Sequence, residues 1–347
     1  MGRKKIMKKK MLKIGINGFG RIGRNATRII LERPTLQIGA INSRATTSSH
    51  AYLLKYDSIY GTLGNNIKAY DDYIEIDRKK VTVFNSDTPA EIPWNKAGID
   101  IVIDSTGKFR TSTDLIGHLT SGVRYVVLSA PAKDAIKTLV LGINQSMFNP
   151  KVDKIISNSS CTTNCLSTTL KVLHDDFHVT HGFMTTIHAV TDSQNLLDNS
   201  HKKEVRLRRA AFSSMIPATT GSAKDIGKLY PDLAGKIICQ AIRIPLPTVS
   251  IINLTVEVKK SVTREIVNKS FEKEAKGKLK GILTLASDEL VSADYIGSPY
   301  SSVVDPYLTQ VIGNKLINVY AWYDNEWGYA NRLVDMVEYI GRKAELI

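Results

Sequence analysis

Cysteine is scarce in this chain, with three in 347 residues. So sparse and odd a set cannot form a disulfide scaffold, and a reducing compartment is expected. No run of about 18 consecutive apolar residues occurs, so no spanning helix is expected and a cytoplasmic location follows as the expectation. Acid is missing from the first 13 residues, MGRKKIMKKKMLK, which contain seven Lys or Arg. They hold half of the formal charge of +14, so the rest of the chain carries +7. The tail (residues 1–12) has no signal-peptide apolar segment and too little Ser for a transit peptide. Position 6 is Ile, where a myristoylation signal needs Ser or Thr. A solvated, disordered arm is expected, with nucleic-acid or membrane contact through the lysines as the alternative.

What is present reads as a globular protein long enough for two domains. LKIGING (12–18) is a short buried strand ending in glycine, and RIGRNATRIILER (21–33) is the helix after it. QIGAIN (37–42), IDIVIDST (99–106) and VRYVVLSA (123–130) are further apolar strands. Alternation of strand and helix predicts a parallel, doubly wound sheet over roughly the first 150 residues. From about residue 183 the texture changes. FMTTIHAV (183–190) and TVSIINLTVEVKK (248–260) are β-branched, and the second alternates with period 2, which predicts an antiparallel sheet with one exposed face. KLINVYAW (315–322) adds a strand, and residues 328–346 carry apolar side chains at helical spacing.

Gly18-Phe19-Gly20-Arg21-Ile22-Gly23 matches G-x-G-x-x-G between a strand and a helix. In that context the glycines admit a pyrophosphate to the backbone, and the helix N-terminus supplies N–H groups and partial positive charge. A site tuned to NAD carries Asp or Glu about 20 residues further on, to hold the ribose hydroxyls. Here the sequence is Asn42-Ser43-Arg44, with no carboxylate. Ser43 leaves room for the extra phosphate of NADP, and Arg44 can pair with it. Alternatively Asn42 alone orders the ribose and Arg44 faces solvent.

SNSSCTTNCLS (157–167) places two cysteines four residues apart where a loop enters a helix. Cys161 falls at the helix N-terminal end, where a thiolate is favoured. Cys165 lies one turn deeper and is expected to be packing. A C-x-x-x-C pair without a further Cys or His pair is a poor metal site, and none is expected. Of seven histidines, His188 sits within a strand, and spacing alone does not select it.

From Lys13 to Ile340 these motifs resemble, in order, the phosphorylating glyceraldehyde-3-phosphate dehydrogenases: INGFGRIGR, LLKYDSIYG (53–61), STGKF (105–109), SNSSCTTNCLS, MTTIHAVT (184–191), IPATTGSAK (216–224), RIPLPTVS (243–250), LKGIL (279–283) and WYDNEWGYANR (322–332). The resemblance implies an α/β N-terminal Rossmann dinucleotide-binding domain (13–160 plus 325–347) and an α+β catalytic domain built on an antiparallel sheet (161–324). It implies Cys161 as nucleophile, with a His188 imidazolium beside it lowering the thiol pKa. Thr191 and Arg243 would bind the substrate phosphate, and Ser160, Thr162, Thr220 and Gly221 the inorganic phosphate, with Arg206 and Arg209 near it. Cofactor contacts would be Asn17, Gly18, Gly20, Arg21, Ile22, Asn42, Ser43, Arg44, Thr106, Gly107, Ser129 and Asn325, the last on the nicotinamide amide. NAD or NADP, a small phosphorylated substrate, inorganic phosphate and a homotetramer are the implied partners.

Departures from the family pattern at Ser43 and at Asn199-Ser200 point toward NADP. Asp87, where some NADP-using relatives have Arg, points the other way. Leu207 occupies a position that is often polar. Erythrose-4-phosphate dehydrogenase is the nearest alternative, but those enzymes lose the Thr-Gly pair and the substrate-phosphate Thr, which are present here as Thr220-Gly221 and Thr191.

Overall fold

A computed structural model describes residues 11–201 and 204–347. The expected disordered basic arm falls almost wholly outside the described residues. The chain forms two compact units. One contains the described residues up to Lys137 with Phe148–Asn158 and Leu333–Ile347; the other contains Thr138–Met147 and Ser159–Arg332.

In the first unit, strand Leu12–Asn17 is central. Parallel strands Leu36–Asn42 and Lys79–Phe84 continue the sheet on one side, and Ile101–Asp104, Tyr125–Leu128 and Ile155–Ser157 on the other. Strand order therefore reverses at the end of Leu12–Asn17, which is where doubly wound folds bind nucleotides. Tyr73–Ile76 and Ile67–Ala69 extend the edge antiparallel and were not anticipated. Both are short and bounded by polar turns, so they carry little periodic signal.

In the second unit, seven strands run in the order Ile216–Ala218, Ile237–Arg243, Val179–His188, Ser250–Val258, Leu316–Tyr323, Ser302–Ile312, Leu283–Leu285. Most pairings are antiparallel, as expected. Val179–His188 with Ile237–Arg243, and Leu283–Leu285 with Ser302–Val304, are parallel. The first of these needs a crossover, which the intervening segment provides with helix Ser222–Leu229. Strand Ser250–Val258 alternates strictly between buried and half-buried residues. Its buried side chains meet the helix Cys161–Phe177 in one core with Leu166, Leu170, Leu173 and Phe271. The segment Thr138–Met147 belongs to this unit and not, as expected, to the first. Ile143 packs on its core, and Gly142 lies so close to Leu279 that a Cβ would come within 2.6 Å.

Candidate active site

In the first unit, the turn after Leu12–Asn17 requires its glycines. Gly18 has φ +89, and a Cβ on it would stand 2.7 Å from Thr106 N; one on Gly23 would stand 2.3 Å from Gly18 O. Gly20 has open space and caps helix Arg21–Leu31 with no side-chain bond and no acid in the first turn. The N–H groups of that turn are thus left for an anion, and the partial charge there favours one. Gly107, φ +66, also borders open space, and Ser129 N bonds Asp104 O at 2.9 Å. Ile22 is half-buried in the first turn of the helix.

Four expected cofactor contacts are engaged otherwise. Arg21 pairs with Asp57 and lies over the Tyr60 ring, which ties the KYDSIYG loop to the helix. Its bond and two backbone N–H groups outweigh burial and hold the Asp57 carboxyl low. Asn42 Nδ2 gives its two hydrogens to Asn17 Oδ1 (2.8 Å) and Ser86 O (3.0 Å), while Oδ1 accepts from Ser86 N (2.9 Å). Asn17 Nδ2 in turn bonds Asp104 Oδ2 at 2.7 Å. Both amides therefore brace the strand ends, because an unpaired buried amide costs more than one bonded to its neighbours. Thr106 Oγ1 bonds Asp104 Oδ1 at 2.7 Å and caps the same turn. Ser43 and Arg44 remain available: Ser43 is half-buried, Arg44 is exposed, and neither side chain has a polar partner among the described residues.

In the second unit, Cys161 is the first residue of helix Cys161–Phe177. The run TTNCLSTT makes a buried helix because its hydroxyls bond back along it: Thr168 Oγ1 to Asn164 O at 2.9 Å and Thr169 Oγ1 to Cys165 O at 2.9 Å. The entering loop is held against strain. Ser159 has φ 57, a conformation that costs about 1–3 kcal/mol in a residue with a side chain. Its hydroxyl bonds the buried Asp225 carboxylate, and its carbonyl accepts from Tyr329 OH at 2.8 Å. That turn brings Cys161 Sγ to 3.6 Å from His188 Nε2, at the end of strand Val179–His188.

Burial pushes the half-exposed Cys161 thiol up, opposed first by the Arg243 charge and then by bonds from Thr162. Burial and Arg243 together depress His188 to about 3. Both shifts favour the uncharged forms, a thiol beside a neutral imidazole, and so run against the expected imidazolium. Cys165 is fully buried, 3.8 Å from Ala321 O, and desolvation raises its pKa strongly. It stands in the core as packing.

Nδ1 of His188 lies 2.6 Å from Ala189 O and 2.6 Å from Arg243 Nη1. It cannot donate to the carbonyl and accept from the guanidinium at once, so Arg243 opposes one tautomer. Arg243, expected on a substrate phosphate, here faces the imidazole. Thr162, expected on inorganic phosphate, turns its hydroxyl inward to Tyr323 OH at 3.0 Å, because that buried phenol needs partners and takes Thr162 and Thr186. Arg209 pairs with Asp198 at 3.2 Å on the surface. Arg206 is exposed and has no ion-pair partner among the described residues, while Leu207 is buried.

Ser160, Thr191, Thr220 and Gly221 remain within reach of solvent. Ser160 Oγ accepts from Thr163 N and touches Thr163 Oγ1 at 2.8 Å; Thr163 Oγ1 reaches Ser222 Oγ at 3.4 Å, and Ser222 Oγ reaches Thr220 Oγ1 at 3.0 Å. This hydroxyl chain links the start of helix Cys161–Phe177 to the start of helix Ser222–Leu229, capped by Gly221 without a side chain. Two helix N-termini joined by hydroxyls can hold an oxyanion. Thr163 and Ser222 were missed in the sequence; both lie inside quoted motifs, but nothing in the spacing pairs them across 59 residues. Thr191 Oγ1 bonds Ser193 Oγ at 3.0 Å.

Asn325 is 6% exposed. Its Oδ1 accepts from Ser250 Oγ at 3.0 Å, and its Nδ2 has no partner among the described residues. A largely buried side chain whose Nδ2 donors stay unused and open fits the carboxamide of a nicotinamide. Among the described residues no helix is long and apolar enough to cross a membrane, and no group of three metal-ligating side chains occurs.

Comparisons with known proteins agree with this chemistry. Residues 12–112 match the family model for the glyceraldehyde 3-phosphate dehydrogenase NAD binding domain, and residues 160–325 match that for the C-terminal domain. The chain is 44% identical over 332 residues to a glyceraldehyde-3-phosphate dehydrogenase of Geobacillus stearothermophilus, covering 96% of this chain and 99% of the relative. It is 45% identical over 334 residues to one of Streptomyces coelicolor, and 41% identical over 332 residues to glyceraldehyde-3-phosphate dehydrogenase 1 of Bacillus subtilis, each with the same coverage.

Proposed function

The chain belongs to the glyceraldehyde-3-phosphate dehydrogenase family, and from that premise we propose that it oxidises glyceraldehyde 3-phosphate with inorganic phosphate to 1,3-bisphosphoglycerate, reversibly, through Cys161 and His188. The observation that carries the assignment of residues is the 3.6 Å approach of Cys161 Sγ to a neutral His188 Nε2 at a helix N-terminus. His188 takes the thiol proton as sulfur adds to the aldehyde carbon, then returns it to the new oxyanion, giving a hemithioacetal. It next accepts the hydroxyl proton as that carbon loses hydride, which leaves a thioester on Cys161. A nicotinamide dinucleotide, when bound, supplies the hydride acceptor. Asn325 would hold its carboxamide, and the Gly18–Gly23 turn its pyrophosphate. Phosphate oxygen then attacks the thioester carbonyl and the sulfur leaves as thiolate, which recovers a proton.

Arg243 has two positions in this reading. Against His188 it competes with the Nδ1–H bond to Ala189 O. Drawn to a substrate phosphate, with Thr191, it leaves that bond intact and Nε2 free to act as base. Ser160, Thr220 and Gly221 serve the attacking phosphate, with Arg206 and Arg209 near it.

Turnover is expected to require inorganic phosphate or arsenate. Assayed with glyceraldehyde 3-phosphate and dinucleotide, a preparation stripped of phosphate should stop after one equivalent of reduced cofactor per active site. Sustained turnover without phosphate would instead support a hydrolytic dehydrogenase of the erythrose-4-phosphate type. The retained Thr191 and Thr220-Gly221 support the phosphorylating reaction.

We assign use of NADP at least comparable to NAD. The absence of a carboxylate at Ser43, the unpaired exposed guanidinium of Arg44 and the polar Asn199-Ser200 support it. Arg44→Ala should lower kcat/KM for NADP about tenfold and leave NAD nearly unchanged, the size of one charge-assisted bond. A strong preference of the unmodified enzyme for NAD would overturn the assignment.

A homo-oligomer, in the family's tetrameric form, is part of the same reading. The exposed face of the seven-stranded sheet carries Phe183, Ile238, Ile312 and Leu316, and the loop after His188 exposes Leu196, Leu197 and Phe212. Light scattering giving the mass of one 38.4 kDa chain would refute it. The three free thiols suit a reducing compartment such as the cytoplasm.

A further inference from the structure

Ser250 belongs to none of the roles above. It is the first residue of strand Ser250–Val258, is 2% exposed, and follows Val249, whose φ of 67 is a conformation that β-branched residues rarely adopt. Val249 is held there in a cluster with Ala286, Tyr295 and Val303. Such strain persists only where the surroundings over-determine it. Its effect is local: the backbone turns sharply one residue before Ser250.

The Ser250 hydroxyl sits between two elements of the site. Oγ accepts from Ala189 N at 3.1 Å and donates to Asn325 Oδ1 at 3.0 Å. Ala189 is also the residue whose carbonyl lies 2.6 Å from His188 Nδ1. One hydroxyl therefore connects the backbone that orients the catalytic imidazole to the amide that awaits the nicotinamide. Its chemistry decides the orientation of that amide. Ala189 N–H takes one lone pair of Oγ, and the buried hydroxyl's single proton has no acceptor other than Asn325 Oδ1 among the described residues; a flipped amide would leave that proton unpaired, so Oδ1 turns to Ser250 and Nδ2 turns away. Asp324 on the same turn accepts from the N–H groups of Glu326, Trp327 and Gly297 and from the Thr248 hydroxyl, none of them part of the Asn325 side chain.

We infer that Ser250 is a positioning residue that fixes the Asn325 amide with its N–H donors toward the nicotinamide carboxamide, and ties that amide to the backbone bearing His188. The inference rests on the reading of Asn325 given above. Without the hydroxyl, the amide can rotate about χ2 and present oxygen or nitrogen, so part of the enzyme would be in the wrong state for the ligand.

The test measures binding as well as rate. NAD, NADP and ADP-ribose, which lacks the nicotinamide, are titrated into the unmodified enzyme, Ser250→Ala, Asn325→Ala and the double variant by calorimetry. Ser250→Ala should raise Kd for the complete dinucleotides about three- to tenfold, the range of one neutral hydrogen bond, and leave ADP-ribose within twofold. In the Asn325→Ala background, Ser250→Ala should add nothing, because its action passes through that amide. Unchanged dinucleotide affinity in Ser250→Ala overturns the inference. So does equal weakening of ADP-ribose, which would mean general damage, or full additivity in the double variant, which would place the action elsewhere. Ser250→Thr keeps the hydroxyl and should recover most of the affinity; its failure to do so alongside normal ADP-ribose binding also counts against the inference. If the unmodified enzyme shows no dehydrogenase turnover, the functional reading fails; if it turns over and Ser250→Ala binds normally, only the role of Ser250 fails.

Discussion

Cys161→Ser is expected to lower dehydrogenase turnover by about 10⁴-fold or more, while Cys165→Ser keeps most of it. The two residues differ in what surrounds their sulfur. Cys161 is half-exposed at the helix start, 3.6 Å from the His188 base, with the Arg243 charge acting to favour its thiolate. A serine hydroxyl there is a far weaker nucleophile at neutral pH, and its ester would be a poorer acyl donor to phosphate than a thioester. Cys165 is enclosed between Leu166, Leu170 and neighbouring strands, with Ala321 O at 3.8 Å as its polar neighbour. Serine can donate to that carbonyl, so the change should cost about 1 kcal/mol of stability and little rate. Iodoacetamide gives a second measurement. Labelling of the native enzyme near neutral pH should fall first on Cys161, because Cys239, though also partly exposed, has its thiol pushed up to about 12 by burial, and Cys161→Ser should label far more slowly until unfolded. Equal loss of activity in both variants would refute the division of roles.

The parts of this site that were legible in the sequence are those in which chemistry and local geometry lie in one stretch of chain. Gly18, Gly20 and Gly23 could be assigned because a strand, a turn and a helix follow one another within a few residues. Cys161 could be separated from Cys165 because one helical turn lies between them. What escaped depends on contacts between distant segments. Ser250 meets Asn325 across 75 residues and Ala189 across 61, and neither distance leaves a period in the sequence. Trp94 Nε1, His118, Asp104, Asn17 and Asn42 form a continuous buried chain beneath the dinucleotide turn, with links of 2.9, 3.2, 2.7 and 2.8 Å. Its members come from three separate strands and two helices, and the chain explains why Asn17 and Asn42 are bracing residues. Motif matching places Thr162 beside the cysteine but cannot show that its hydroxyl is taken by Tyr323. In the fold, the alternating strands were readable, whereas the parallel pairing of Val179–His188 with Ile237–Arg243 depends on where a distant strand returns.

His188→Asn is expected to reduce kcat by about 10²- to 10⁴-fold with a much smaller change in dinucleotide affinity, because the imidazole acts on the reacting proton and does not hold the cofactor. The pH behaviour follows from the environment of the ring. Burial and the Arg243 charge lower its pKa from an ordinary 6.5 to about 3, so the base form persists throughout the usual assay range. In the unmodified enzyme kcat/KM should therefore show no acid limb near pH 6.5 belonging to His188. An acid limb at that pH which disappears in His188→Asn would mean that the imidazole is charged at rest, and would overturn the neutral-pair assignment. Stability carries the same sign. The folded-state pKa lies below the unfolded value, so the neutral ring's contribution is fully present above about 6.5 and falls as pH drops toward 3, where folding no longer resists protonation. Chemical denaturation should show part of the acid destabilisation of the unmodified enzyme missing in His188→Asn. Arg243→Ala supplies the converse, since removing the charge should raise the His188 pKa and also the Cys161 thiol pKa, for which Arg243 is the leading opposing influence. Alkylation of Cys161 in that variant should then need a higher pH, while the acid limb of activity moves up toward neutrality; movement of both limbs in the same direction is what separates loss of a charge beside the pair from loss of a phosphate contact alone.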